Sequence, residues 1–503
     1  MKIISAQQTR EADQYSINHE PIAPIDLMER ASEIFVDWFK SHYLPSQRVL
    51  VFCGPGNNGG DGLAIARLLY KDEYEVVVVI VKFGRRTSGD FDINLKRLLN
   101  QTTVKVNTCD SVASFPELLG NEIVIDAILG SGLSRPVKGF VAETIETINE
   151  LKNEVVSVDI PSGLFSDTIT NSPAIQAEKT LSFERPKLAF FLPSNGKFVG
   201  TWSFRSIQLD HNFIEKQDSI FNLITPGKIA SIYKPRTKYG HKGTYGHSLI
   251  VGGAKGKIGA AVLAAKGALR AGTGLLTTYL PECGYSIMQI AVPEAMVLTD
   301  QHHDELTLAP ELSKYKAIGI GPGIGTSKRT AFVLKSILEK AEAALVIDAD
   351  ALNILSESPG WLDQLPDNCI MTPHPKEFER LFGKTKNDIE RLERLSHVAA
   401  KFKAWIILKG AHSAIACPSG DIWFNNTGNP GMGTGGSGDV LTGILTALLA
   451  QGYSPFDSAV MGVHLHGLAG DMAADELSQE ALAASDIVEY LGKAFIKIKS
   501  TDK

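Results

Sequence analysis

From Arg48 onward, short β-branched runs alternate with longer amphipathic ones. RVLVFCG, EVVVVIVKFG, EIVIDAILG and EVVSVDIPSG read as strands, and LAIARLLYKD, DFDINLKRLL and FVAETIETINELK between them read as helices. The strand runs are almost continuously apolar rather than alternating, as in a parallel sheet covered by helices on both faces. The pattern therefore predicts an α/β architecture with its functional loops at the carboxyl ends of the strands.

The alternation lapses between Ile207 and Tyr233, around Pro226-Gly227, and restarts with HSLIVGGA. A helix from Gly259 to Ala271 follows, then KAIGIGPGIG, ALVIDADALNIL, CIMTPHPKEF and AWIILKG as strands running into loops. Asn387 as an N-cap with Ile389, Leu392, Leu395, Val398 and Phe402 at steps of three and four predicts one further packing helix. Without an internal repeat or low-complexity tract, the chain reads as two different α/β domains, 1–220 and 221–503.

Composition narrows the partners. Hydrophobic residues make up 44% and charged residues 21% of 503, a globular balance. Lys+Arg at 50 against Asp+Glu at 56 gives a net charge of -6, which supplies no general attraction to nucleic acid or an anionic membrane, so small molecules are the expected partners. Five scattered cysteines without a CxxC pair argue against a disulfide framework or a zinc site and for a reducing cytoplasm. The N-terminus reaches Arg10, Glu11 and Asp13 before any apolar stretch develops, unlike a secretory signal. VVVVIV and the run from Val440-Leu441 fall short of the ~20 residues of a membrane span and read as a buried strand and a core helix.

Chemistry concentrates in glycine-rich loops. Gly54, Gly56 and Gly59 form G-x-G-x-x-G between a strand and a helix, a context that attracts phosphate through backbone N–H groups and the helix dipole. A nicotinamide dehydrogenase would place an acidic residue at the end of the second strand, where this chain has Phe83-Gly84-Arg85-Arg86. The loop is instead unusually polar, with Asn57, Asn58 and Asp61, and later strand ends carry Asp126 and Asp159. Oxygen ligands from Asn58, Asp126 and Ser162 suit a monovalent cation better than a caged divalent one, although strand-end carboxylates also cap helices.

GPGNNGGDGL, DAILGSGLSRPVKG and VDIPSGL, in this order, resemble the NAD(P)HX epimerase family, which has a Rossmann-like three-layer domain. The resemblance implies that Asn57, Asn58, Gly59, Gly60 and Asp61, with Gly130, Ser131, Gly132, Leu133, Ser134, Arg135 and Pro136, embrace a hydrated nicotinamide dinucleotide. It implies that Asn58, Asp126 and Ser162 hold potassium and that Asp159 contacts the reacting ring. Exchange of the R and S hydrates at C6 needs an acid/base group, and Asp159 is the expected one. Lys187, in ERPKLAF, reads as a solvated or phosphate-neutralising lysine and stays outside the catalytic set.

The segment GNPGMGTGGSGDVLTGILTALLA runs a glycine-rich turn into an apolar helix. Its N–H groups form an anion hole for a transferring phosphoryl group, with Asp439 placed to take a hydroxyl proton. GGAKGKIG lacks the P-loop spacing. The turn resembles the ribokinase-like superfamily, and HKGTYGHSLIVGG, GIGPGIG, DADALN, TPHPKEFERL and KGAHS follow the order of its ADP- or ATP-dependent NAD(P)HX dehydratases. That resemblance implies that Ala261, Gly325, His374 and Asp439 contact the hydrate, that Lys409, Gly410, Ala411, His412, Ser413 and Gly438 hold the nucleotide, and that magnesium bridges its phosphates. ADP is expected over ATP, leaving AMP and phosphate.

Asp348, Asp350 and Asn353 bind magnesium through water or cap the next helix. His464 and His466, two apart on a helix, read as structural. Together the two halves would repair both epimers of hydrated NADH and NADPH, in an assembly expected to be a homo-oligomer. Two alternatives stay open at this point: a small-molecule kinase that releases a stable phosphate ester, and an N-terminal half that serves as a non-catalytic scaffold module.

Overall fold

The apolar runs fold as the strands they predict. A computed structural model of the chain describes residues 1–84, 86–111, 114–115 and 120–500. Two compact units form: Lys2–Phe221 with Asn387–Ile389, and Met1 with Asn222–Lys386 and the chain from Glu390 on.

Among the described residues the first unit contains a seven-stranded sheet of β1 (Val49–Cys53), β2 (Val76–Val81), β3 (Lys105–Cys109), β4 (Ile123–Ala127), β5 (Val155–Val158), β6 (Lys179–Phe183) and β7 (Thr201–Arg205). Their spatial order is β3-β2-β1-β4-β5-β6-β7, and every pairing is parallel. Strand direction alternates the buried faces: Val51, Val78 and Ile125 pack into one apolar cluster, Phe52, Val79 and Val124 into another. From β1 the chain builds outward to β3 and then returns to β4 on the other side of β1. A crevice opens at such a reversal, beyond the carboxyl ends of the two strands.

Among the described residues the second unit has a ten-stranded sheet of β8 (Phe221–Leu223), β9 (His247–Val251), β10 (Leu275–Leu280), β11 (Met296–Thr299), β12 (Ala317–Ile320), β13 (Ala344–Ile347), β14 (Cys369–Met371), β15 (Trp405–Leu408), β16 (Ala414–Ala416) and β17 (Ile422–Phe424). Its order is β11-β10-β9-β12-β13-β14-β15-β16-β17-β8, parallel from β11 to β15 and antiparallel through β16 and β17. The run from Val440 lies in a buried helix, Ser437–Ala450, and the predicted packing helix spans Asp388–Phe402.

The sequence lapse at 207–233 is not irregular throughout. It holds a helix His211–Glu215, strand β8 and a helix Pro226–Ile232, each too short to establish a period. All five cysteines are free. Among the described residues no helix is long and apolar enough to cross a membrane.

Candidate active sites

In the first unit the loop after β1 enters the helix Asn57–Lys71 with no room for side chains at two glycines. A Cβ on Gly54 would lie 1.9 Å from the Ile128 carbonyl oxygen, and one on Gly59 would lie 1.7 Å from that of Gly54. A Cβ on Gly60 would press on Met28, whereas one on Gly56 would meet open space. Gly59 and Gly60 are thus packing residues that seat the helix, and Gly56 faces the opening.

A cavity of about 850 Å³ lies over these strand ends, lined among others by Asn57, Asn58, Asp61, Gly130, Ser131, Gly132, Leu133, Ser134, Arg135 and Asp159. Pro136, Asp126 and Ser162 are not on its wall. Arg86 lines it, and Arg85 lies outside the described residues.

Asn58 on the wall meets Asp126 and Ser162 behind it through the Leu129 carbonyl and the Ser162 hydroxyl. Asp126 is fully buried and accepts Ser157 Oγ and Ser162 N at 2.8 Å each through Oδ2 and Ser162 Oγ at 2.5 Å through Oδ1. Burial raises its pKa and the Ser162 hydrogen bonds work against that rise. Asn58 donates Nδ2 to Leu129 O at 2.8 Å, the carbonyl that Ser162 Oγ also reaches at 3.2 Å. Asn58 Oδ1 is buried without a hydrogen-bond partner. A buried amide oxygen without a partner, a buried carboxylate and a hydroxyl in this cluster fit a weakly hydrated monovalent cation, since every donor atom is a hard oxygen and the formal charge is low.

Asp159 follows β5 with φ of +65°, a left-handed conformation that turns its carboxylate into the cavity at a strain of about 1–3 kcal/mol. Its Oδ1 accepts Phe183 N at 3.0 Å and pairs with Lys187 Nζ at 2.9 Å. Lys187 is only 2% exposed, so the solvated lysine expected from sequence is instead a buried partner of Asp159. Four more carboxyl residues line the cavity, Asp13, Asp61, Asp90 and Glu184, and two of them have raised pKa values. Burial pushes Asp13 up to about 6, against the pull of Lys187 and with added repulsion from Asp159 and Glu184. Asp61 is raised well above the carboxylate range by burial, then by Asp159, Asp13 and Asp90.

The second site forms at the head of the helix Ser437–Ala450. Gly436 precedes it with φ of +93°, and a Cβ there would also strike Leu263. The helix is seated by small residues: a Cβ on Gly443 would lie 1.9 Å from the Ala264 carbonyl oxygen, and one on Gly267 2.6 Å from that of Val440. Asp439 in the first turn carries a carboxyl raised to about 7 by burial and by Asp348 and Asp350, with Lys409 opposing. Buried Asp348 accepts Lys409 Nζ at 2.8 Å and Thr442 Oγ1 at 2.7 Å, which fixes the lysine beside Gly438.

Asp350 accepts Gly325 N at 2.8 Å and pairs with Lys257 at 3.3 Å, and Asn353 accepts a hydrogen bond from Arg380. With Asp348, Asp350 and Asn353 all engaged by protein groups, magnesium here would be held chiefly by nucleotide phosphates and water. His374 caps the helix Pro375–Phe382, its Nδ1 accepting Lys376 N at 3.1 Å, while Glu377 Oε2 accepts His374 N at 2.8 Å. Burial lowers the pKa of His374 and of His412. Gly410, Ala411 and Ser413 lie with His412 in the loop between β15 and β16. Ala261 is completely buried, and a Cβ on Gly252 would lie 3.0 Å from its Cβ.

His464 and His466 are buried, and burial lowers both to about 4. His466 Nε2 lies 2.9 Å from Ser437 O, so it braces the first turn that carries Asp439, a role that its spacing alone did not show.

Residues 248–493 match the family model for NAD(P)H-hydrate dehydratase, and residues 24–189 match that for the YjeF-related protein N-terminus. The bifunctional NAD(P)H-hydrate repair enzyme of Moorella thermoacetica is 35% identical over 508 residues, covering 98% of this chain and 96% of its own. That of Coxiella burnetii is 33% identical over 494 residues, covering 96% and 97%. A crystal structure of a ribokinase-like superfamily protein from Enterococcus faecalis is 25% identical, with a TM-score of 0.50, and covers 56% of this chain and 98% of that one. The C-terminal unit is ribokinase-like in fold.

Proposed function

The chain belongs to the bifunctional NAD(P)H-hydrate repair enzymes, with an epimerase and a dehydratase domain, and from that membership we propose how its two sites divide the work. The domain of residues 1–220 exchanges the R and S hydrates of NADH and NADPH at C6 in the cavity that Asp159 enters. The domain of residues 221–503 returns the S hydrate to NAD(P)H at the expense of a nucleotide, ADP before ATP, yielding AMP and phosphate.

The observation that carries this reading is the placement of Asp439. Its carboxyl titrates at about 7 at the head of a glycine-rich turn, so it is available as the anion at neutral pH yet basic enough to take a hydroxyl proton. In the proposed sequence Asp439 removes the proton of the 6-hydroxyl, the terminal phosphoryl group passes to that oxygen, and phosphate leaves C6 as C5 gives up a proton to water and the C5–C6 double bond forms. The N–H groups of Gly436 to Gly438 face the transferring group, and Lys409, held by Asp348, neutralises its charge. Magnesium, bound with the nucleotide, would offset charge on its phosphates. Gly325 and His374 are assigned to the hydrate, and Lys409, Gly410, Ala411, His412, Ser413 and Gly438 to the nucleotide.

In the epimerase cavity, Asn57 to Asp61 and Gly130 to Pro136 are assigned to the dinucleotide, and potassium to Asn58, Asp126 and Ser162. Potassium held there would supply positive charge to the binding of an anionic dinucleotide.

The test mixes the protein with pure S hydrate of NADH, magnesium and either nucleotide and follows the dihydronicotinamide absorbance. Recovery with ADP faster than with ATP, lost in Asp439→Ala, is expected. A stable phosphate ester without recovered absorbance would refute the dehydratase assignment.

A further inference from the structure

Epimerisation at C6 needs more proton traffic than one carboxylate supplies. The C6–O bond can break only if the leaving oxygen receives a proton, and the water that returns on the other face must lose one. Asp159 is committed to an ion pair with the buried ammonium of Lys187 at 2.9 Å and accepts Phe183 N besides, which suits it to accept a proton rather than to deliver one. A donor must come from another wall of the cavity.

The first helix, Ala6–His19, supplies that wall. Thr9, Arg10, Asp13 and Ile17 fall at helical steps on one face, and all four line the cavity. The helix is pinned along its length. Asp167 accepts Ala6 N at 3.1 Å, Ser16 Oγ accepts Asp210 N at 3.0 Å, and Tyr15 stacks on Phe213 at 4.3 Å between ring centroids. Asp13 is therefore held at a fixed place on the wall, and it lies outside the stretch 24–189 that matches the N-terminal family model.

We propose that Asp13 is the second proton-handling residue of the epimerase site, acid to the base Asp159, which Lys187 positions. In one direction Asp13 protonates the 6-hydroxyl as the C6–O bond breaks. Water departs and leaves a planar ring cation whose charge C6 shares with the ring nitrogen. Water then bonds to C6 from the opposite face and gives its proton to Asp159, and proton exchange with solvent resets both carboxyls. No electron is gained or lost. The Asp13 carboxylate left by that transfer and the Asp159 carboxylate favour that cation, and the proton affinity of Asp13, raised by burial to a pKa of about 6, keeps a usable share of it protonated near neutrality.

The inference rests on the cavity being the epimerase site, and the test separates the two. Full-length protein is given R hydrate of NADH without nucleotide, so that dehydration is silent, and formation of S hydrate is followed by chromatography. Asp13→Asn should lower kcat by roughly 10²–10⁴-fold with hydrate binding by calorimetry unchanged, and Asp13→Glu should recover part of the rate. Dehydration of S hydrate by the same variants should equal that of the unaltered chain. Wild-type kcat in Asp13→Asn, with Asp159→Asn inactive, overturns the inference and leaves the cavity assignment standing. A wild-type rate in Asp159→Asn overturns the assignment and the inference with it. If Asp13→Asn fails by weaker binding alone, Asp13 is a binding residue and the proposal is wrong.

Discussion

Asp439 combines burial with two neighbouring carboxylates, and its raised pKa bears on both the proposed activity and the stability of the fold. In the proposed mechanism the base is the anion, so the dehydration rate at saturating substrate should rise with pH through about 7 and level off above it. The sign for stability is the reverse. The folded state holds this proton more tightly than the unfolded chain, whose carboxyl has the ordinary value of 3.8, so ionisation weakens the fold as pH climbs between the two. Asp439→Asn should therefore abolish dehydration while stabilising the C-terminal domain by about 1 kcal/mol at mildly alkaline pH, read by urea unfolding. In the other domain, Lys187→Met would strand the Asp159 carboxylate. The cost should fall toward the lower end of the roughly 3–5 kcal/mol typical of a broken buried pair, because Asp159 keeps some exposure. Asp159, Asp439 and their glycine loops were legible in the sequence, since each sits in a dense motif. Lys187 and Asp13 were not, because a lysine after Arg185-Pro186 and an aspartate in a polar first helix show their burial only once distant strands close around them.

The elements divide in the same way. Long apolar runs gave β1, β2, β4 and the helix Ser437–Ala450, whereas β16, β17 and β8, three residues each, carry no period to read. Glycines that seat helices were visible as glycines, but their purposes differ in ways only contact distances reveal. Gly443→Ala would drive a Cβ to 1.9 Å from the Ala264 carbonyl oxygen, backbone against backbone, and should cost about 3 kcal/mol or more of C-terminal stability. Gly56→Ala meets open space, so it should unfold at nearly the wild-type urea concentration while raising the KM for the hydrate in epimerisation. Equal destabilisation by the two would contradict the packing account.

At the scale of the molecule, two sheets of different order and two unlike loop chemistries form separate compact units. In the proposed division of work each unit carries one half of a repair: only the dehydratase regenerates the cofactor, and only the epimerase makes the R hydrate available to it. Asp159→Ala should leave dehydration of S hydrate untouched, and Asp439→Ala should leave R-to-S exchange untouched. The most direct test supplies pure R hydrate of NADH with magnesium, potassium and ADP and records the return of dihydronicotinamide absorbance. Full recovery is expected with the unaltered chain, and in Asp159→Ala a rate reduced to that of uncatalysed epimerisation. Recovery at the wild-type rate in Asp159→Ala would contradict this division of work.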